Sequence, residues 1–252
     1  PDYMPGGSTA GTATAVAASM AVLGLAEETG GSIQNPASAQ GLVGIKPTFA
    51  LVPNSGVVPL AGSTRDVVGP IARTVRDAAL TLDVIAGYCA EDPKTVAAIG
   101  KLPKGGYAAR LSATALQGKR IGLYGPGWRA SPLSPECTSL YARAQQELAA
   151  RGATLLEDPF AGTGFAAISK PISDKYQFDA RGMECCPYDM ELYLRRLGPS
   201  AAIRDYKSLA ELTKAEDPYA EGGVMAYMSY LAETAFSLEN PTPVSYTHLR
   251  AH

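Results

Sequence analysis

Pro5-Gly-Gly-Ser-Thr-Ala-Gly11 lies near the start of the chain, and Gly30-Gly-Ser-Ile-Gln-Asn-Pro36 follows it. Each is a glycine turn presenting a serine, Ser8 in the first and Ser32 in the second, 24 residues apart. Residues 12–19 between them are small and helix-compatible, and Ala21-Val-Leu-Gly-Leu-Ala26 is an apolar run of the kind buried as a strand. After the second turn, residues 33–40 have room for a short helix and Leu42-Val-Gly-Ile45 for another buried strand. The order loop, helix, strand, loop, helix, strand predicts an α/β sheet with its active groups on loops.

Outward from this region the clearest helix is announced by Thr74 and Asp77, which have capping-box spacing. Val75, Ala78, Ala79, Leu82, Ile85 and Ala86 recur at helical period, and Gly87 stops the run. Residues 91–118 read as a polar connection. Lys119 to Tyr124 reads as a strand, Pro135 to Arg151 as a helix ended by Gly152, and Ala153 to Leu156 as a second strand. That β-α-β unit predicts a parallel pair, right-handed by the usual rule. Met190–Leu197 and Ala201–Lys214 complete the expected helices.

The 252 residues carry a formal net charge of −2, which leaves no basic footprint for nucleic acid. No run of about 18 apolar residues is present, so no membrane-spanning helix is expected. Cys89, Cys137, Cys185 and Cys186 form no C-x-x-C pair and no metal-ligand spacing, so no metal site is expected. Free thiols in a reduced compartment, the cytoplasm, are the expectation.

The ends read as cut. Pro1-Asp-Tyr-Met-Pro5 enters a glycine loop at once, and Val244 to His252 resembles one reading frame of a transposase sequencing adapter, set aside as non-native. Both histidines, His248 and His252, lie in that tail. Residues 1–243 therefore offer no Ser-His-Asp triad and no histidine-ligated metal. A nucleophile here needs another kind of activation.

The two serine turns, with Gly41-Leu-Val-Gly-Ile-Lys-Pro-Thr48 and Thr64-Arg-Asp-Val-Val-Gly-Pro-Ile-Ala-Arg-Thr-Val-Arg-Asp-Ala-Ala79, resemble the amidase signature family in order and spacing. Strong motif coverage runs over residues 5–87, and residues 119–157 share only the strand-helix-strand rhythm. The resemblance implies the amidase signature fold, a mixed β-sheet flanked by helices on both faces. Residues 1–243 would be a partial amidase domain, truncated at both ends.

The resemblance also implies a Ser–Ser–Lys mechanism that needs no cofactor. A serine hydroxyl becomes nucleophilic only when a base takes its proton. Ser32 is implied as the nucleophile and Ser8 as the proton relay, held by a cis peptide bond after Gly7, with Thr9 in support. The base is a lysine upstream of the segment, outside this chain. The N–H groups of Thr29, Gly30, Gly31 and Ser32 are implied as the oxyanion hole, and such donors each stabilise a transition state by roughly 3–4 kcal/mol. The reaction expected is hydrolysis of a carboxylic amide C–N bond through an acyl-enzyme on Ser32, releasing ammonia or an amine from a small-molecule amide. Thr9, Ala10, Glu28 and Gln34 depart from the common pattern and leave the substrate unassigned.

Blander readings stand beside these. A lone Gly-Gly-Ser is usually just a turn; the pair at family spacing, with two further motifs, reverses that judgement. Lys46 falls in a structural Gly-Ile-Lys-Pro-Thr turn and is not the expected base. Asp66 and Arg73 are expected to pair or cap within the fold, Cys185–Cys186 to pack, and Arg195–Arg196 to be a solvated helix face. Gly6 to Gly11 lacks the Lys-Ser/Thr ending of a phosphate-binding loop, and Gly125-Pro-Gly127 develops no full G-x-G-x-x-G. Two other functions compete: the amidase component of a tRNA-dependent amidotransferase, and a catalytically inactive truncated relative.

Overall fold

A computed structural model describes residues 4–123, 133–164 and 185–216 of the chain. The chain divides into two compact units, Pro1–Ala109 with Arg181–His252, and Arg110–Ala180. The expected adapter tail, both histidines and Gly125-Pro-Gly127 lie outside the described residues.

The first unit begins with helix α1 (Ala10–Ala17), strand β1 (Leu23–Glu28), helix α2 (Gln34–Ala39) and the two-residue strand β2 (Val43–Gly44). Strand β3 (Val67–Ala72) lies between β1 and β2 and is antiparallel to both. Leu23 and Val43 both face Ala72 in register, and Glu28 faces Val67.

The sequence reading did not anticipate β3. Its six residues are all buried, so no polar alternation marks it, and Gly69-Pro70 reads as a break. Both residues have a steric reason. A Cβ on Gly69 would stand 2.0 Å from the Ile45 carbonyl oxygen. Pro70 accepts a hydrogen bond from the Ile45 N–H at 3.0 Å. Its missing N–H falls on that same side, where β2 has already ended.

Alternation along β3 distributes the core to two faces. Val67 and Ile71 pack with Ala13 and Ile33 beneath α1 and α2. Val68 faces the other way and packs with Val52 and Leu82 of helix α3 (Val75–Ile85). Helices on both faces of the sheet match the expected architecture. The capping reading of α3 also holds: Thr74 Oγ1 accepts from the Asp77 N–H at 3.1 Å and donates to the Asp77 carboxylate at 2.7 Å. Arg73 donates to the carbonyls of Val16 and Ala21, tying the end of α1 to the turn before β1.

Two helices close this unit. After helix α4 (Pro135–Ala150), which belongs to the second unit, come α5 (Cys186–Arg196) and α6 (Tyr206–Glu216). α5 starts four residues before the expected Met190, because Pro187 fits a first helical turn, where its missing N–H costs nothing. α6 starts at Tyr206 rather than Ala201. Cys186, Met190, Leu194 and Tyr206 form their shared core, joined by Leu60. The connection expected over residues 91–118 contains a 3-10 helix, Pro93–Ala98, anchored by the buried Thr95.

The second unit is the anticipated β-α-β. β4 (Arg120–Gly122) and β5 (Thr154–Leu156) run parallel, with Arg120 facing Thr154. α4 (Pro135–Ala150) joins them, its start capped by Ser134 Oγ accepting from the Cys137 N–H at 3.2 Å.

Candidate active site

The loops carrying Ser8 and Ser32 meet at the start of α2. The Thr9 N–H donates to the Ser32 carbonyl at 3.4 Å. Gly6 lies flat on Pro36, where a Cβ would stand 2.7 Å from Pro36 Cα. Gln40 Nε2 donates to the Pro5 carbonyl at 3.0 Å. The peptide bond between Gly7 and Ser8 is cis, as the resemblance implied. Thr9 keeps a role for its hydroxyl, which donates to the Glu27 carbonyl at 3.2 Å and joins the first loop to the end of β1. Ser8 is exposed and Ser32 half-buried.

The 29–32 loop leaves β1 between three carboxylates. Glu28 is 1% exposed. Its Oε2 accepts from the N–H groups of Ile33 and Gln34 at 2.9 and 3.0 Å, and its Oε1 accepts from Gln34 Nε2 at 2.6 Å. Burial pushes this carboxyl up, but the donors of Gln34, Ile33 and Gly31 outweigh it and hold it below its ordinary value. Gln34, a departure from the common pattern, thus has a definite partner, and the first free N–H groups of α2 are turned to Glu28. Gly31, one of the four residues whose N–H groups the resemblance implies for an oxyanion hole, also helps to hold the Glu28 carboxyl down. Gly31 itself has φ +94°, a region glycine enters freely.

Thr29 joins the other two carboxylates. Its Oγ1 lies 3.2 Å from Glu27 Oε1 and 2.7 Å from Asp66 Oδ1. Asp66 is 1% exposed, and its Oδ2 accepts from the N–H groups of Leu60 and Ala61, each at 2.8 Å. Asp66 therefore caps a turn, as expected, but it does not pair with Arg73 and it reaches the serine loop through Thr29. Sequence spacing could not show this: Thr29 and Asp66 stand 37 residues apart. Burial, and after it the charge of Asp66, pushes the Glu27 carboxyl up to about 7.

A cleft of about 560 Å³ lies in the same unit, between the 54–66 segment, the 3-10 helix and α5. Neither Ser8 nor Ser32 lines it, but Asp66 does. On its far wall Asp189 accepts from the Ser63 N–H at 2.9 Å and from the Ser63 hydroxyl. Burial drives the Asp189 carboxyl up. Cys185 and Cys186 are buried beside it as free thiols. Burial raises both, Cys186 to about 12, so they pack rather than react, as expected. Lys46 is exposed, and so are Arg195 and Arg196, the first paired with Glu191 at 2.9 Å. Among the described residues no group of three or more His, Cys, Asp or Glu is placed to hold a metal ion.

The family model described as Amidase matches residues 1–166. The chain is similar to a glutamyl-tRNA(Gln) amidotransferase subunit of Acinetobacter baumannii, 38% identical over 156 residues, covering 62% of this chain and 31% of that protein. It is also similar to a probable amidase of Arabidopsis thaliana, 44% identical over 119 residues, covering 47% of this chain and 23% of that protein. The native peptide amidase of Stenotrophomonas maltophilia superimposes with a TM-score of 0.72 at 31% identity, over 98% of this chain and 47% of that structure. An amidase family protein of Bacillus anthracis str. Ames gives 0.73 at 25% identity, over 97% of this chain and 45% of that structure. The chain thus spans less than half the length of these relatives.

Proposed function

We propose that this chain, which belongs to the amidase family, carries the nucleophile and oxyanion loop of a serine amidase. The observation that supports this most is the joining of the two serine turns, Thr9 bonded to Ser32 and Gly6 seated on Pro36. It brings Ser8 to the loop of Ser32, in the order that a proton relay needs.

In this mechanism Ser32 Oγ attacks the amide carbonyl carbon while its proton passes to Ser8 and on to a base. The base is a lysine upstream of this segment. The carbonyl oxygen becomes an anion facing N–H donors of residues 29–32. The C–N bond then breaks, and ammonia or an amine leaves with the proton returned along the relay. Water attacks the acyl-enzyme and releases the acid and Ser32. The substrate class is a carboxylic amide, small or peptide-borne, and the compartment proposed is the cytoplasm, from the four free-thiol cysteines.

A second reading is the amidase component of a tRNA-dependent amidotransferase, favoured by the identity to the Acinetobacter amidotransferase protein. Stable co-purification with a partner protein from the native host would select it.

The test of the hydrolase reading has two steps. The parent gene is sequenced through both ends of this segment, and the encoded protein is treated with a fluorophosphonate. The expected result is an upstream lysine and a single adduct on the peptide that carries Ser32. A folded protein that forms no adduct there would select the third reading, an inactive relative.

A further inference from the structure

We propose that Glu27 holds a proton in a three-membered chain, donating it to Thr29 Oγ1 while Thr29 donates to Asp66, and that this chain positions the loop bearing Ser32. The role assigned to the loop rests on the amidase reading; the proton arrangement does not.

The geometry requires a shared proton. The Thr29 hydroxyl has one hydrogen and stands within bonding distance of two carboxyl oxygens, Glu27 Oε1 at 3.2 Å and Asp66 Oδ1 at 2.7 Å. It can donate to only one of them. If both carboxyls were ionised, the second contact would set two lone pairs against each other. Asp66 is the fixed acceptor, because its other oxygen already takes two backbone N–H groups and its bond to Thr29 is the shorter. Glu27 then supplies the missing hydrogen, its carboxyl O–H donating to Thr29 Oγ1.

The surroundings agree. The charged groups facing Glu27 are Asp66, from the segment entering β3, and Glu28 beside it on β1. Both are acidic, so both favour a neutral Glu27. The Arg65 guanidinium stands 3.3 Å from where a Cβ on Gly30 would be. α1, which packs on β1, contains no charged residue. Burial adds to the effect and carries the Glu27 titration to about 7.

The consequence is mechanical. Thr29 is the first residue of the 29–32 loop, and the chain ties it to the turn at 60–61 through Asp66. Loss of the Glu27 proton places a second anion beside Asp66 and withdraws one of the two bonds to Thr29. Glu27 is therefore a positioning residue. It touches no reacting atom.

The test uses the full chain and three readouts that need no catalytic activity. In an NMR titration of the side-chain carboxyl carbons, the Glu27 signal, identified by its loss in Glu27→Gln, should titrate near 7. A midpoint near the ordinary 4.5 overturns the proposal. Asp66→Asn places an amide donor beside Thr29 and leaves Glu27 as the acceptor, so this titration should move back down; an unmoved midpoint also overturns it.

The second readout is stability. A carboxyl raised on folding binds its proton more tightly in the native state, so its stabilising contribution is complete below about pH 4.5 and is lost as the pH rises through about 7. Wild-type Tm should fall over that interval by about 2–4 °C more than that of Glu27→Gln, whose amide donates to Thr29 at every pH. Parallel curves overturn the proposal.

The third readout is amide exchange at Gly30 and Gly31, taken as the ratio of wild type to Glu27→Gln at each pH. It should rise above about pH 7, and a flat ratio refutes the positioning role. If all three readouts hold but Ser32 accepts no fluorophosphonate in the parent protein, the amidase reading fails and the proton chain stands.

Discussion

On the proposed amidase reading, Ser32→Ala is expected to abolish fluorophosphonate labelling and to lower amide hydrolysis on the order of 10⁶-fold, the loss seen when the nucleophile of a serine hydrolase is removed. The oxyanion donors are backbone groups and survive the change, so a residual acceleration on the order of 10³-fold over water is expected. The fold should tolerate the substitution. Ser32 is half-buried, and the contacts that hold its loop run through its carbonyl and through the neighbours Gly31, Ile33 and Gln34. An unchanged Tm beside lost labelling is therefore the expected pattern. Ser8→Ala should also lower both rates, through loss of proton transfer, while leaving Ser32 present and open to slow labelling. Hydrolysis that persists in Ser32→Ala would remove Ser32 from the mechanism.

Asp66→Ala is expected to be the most damaging single change to stability around the site. The Asp66 side chain is 1% exposed and accepts from Leu60 N–H, Ala61 N–H and Thr29 Oγ1. Truncation leaves the Leu60 and Ala61 N–H groups without their acceptor, while Thr29 Oγ1 turns to Glu27. A buried unsatisfied polar group costs about 1–3 kcal/mol, so a loss of about 3 kcal/mol or more is expected against a total near 5–15 kcal/mol. For a chain of this size that lowers Tm by about 6–12 °C. The measurement is thermal unfolding of wild type and variant at one pH. A shift under about 2 °C would mean that water replaces the carboxylate at the 60–61 turn, and that the turn does not depend on Asp66.

What the sequence made legible was local. Thr74 and Asp77 lie three residues apart and bond as the capping pattern predicts. β4, α4 and β5 were visible because each follows its own period between clear stops. The serine turns were visible because glycine spacing survives in a linear string, though their roles rest on the resemblance. β3 was hidden because burial on both faces erases alternation, and because Gly69 and Pro70 are there for Ile45, 24 residues away in sequence from Gly69. The start of α5 was hidden because Pro187 ends helices in general but fits their first turn. At the site, the long-range contacts were the part that could not be read. Glu28 was legible only as a departure from a pattern, whereas its position at the start of α2 explains both it and Gln34. Nothing in the string pairs Thr29 with Asp66, since that contact exists only once β1 and β3 are in register.

The bonds from Ser63 to Asp189 join residues 126 positions apart, with the whole of the Arg110–Ala180 unit made between them. During synthesis at about 5–20 residues per second, the segment around Ser63 waits roughly 6–25 s for its partner to be made. The inserted unit emerges complete in that interval and is free to fold on local contacts, while the serine-bearing unit still lacks α5. The unit that carries Ser8 and Ser32 is thus begun before the inserted unit and completed after it.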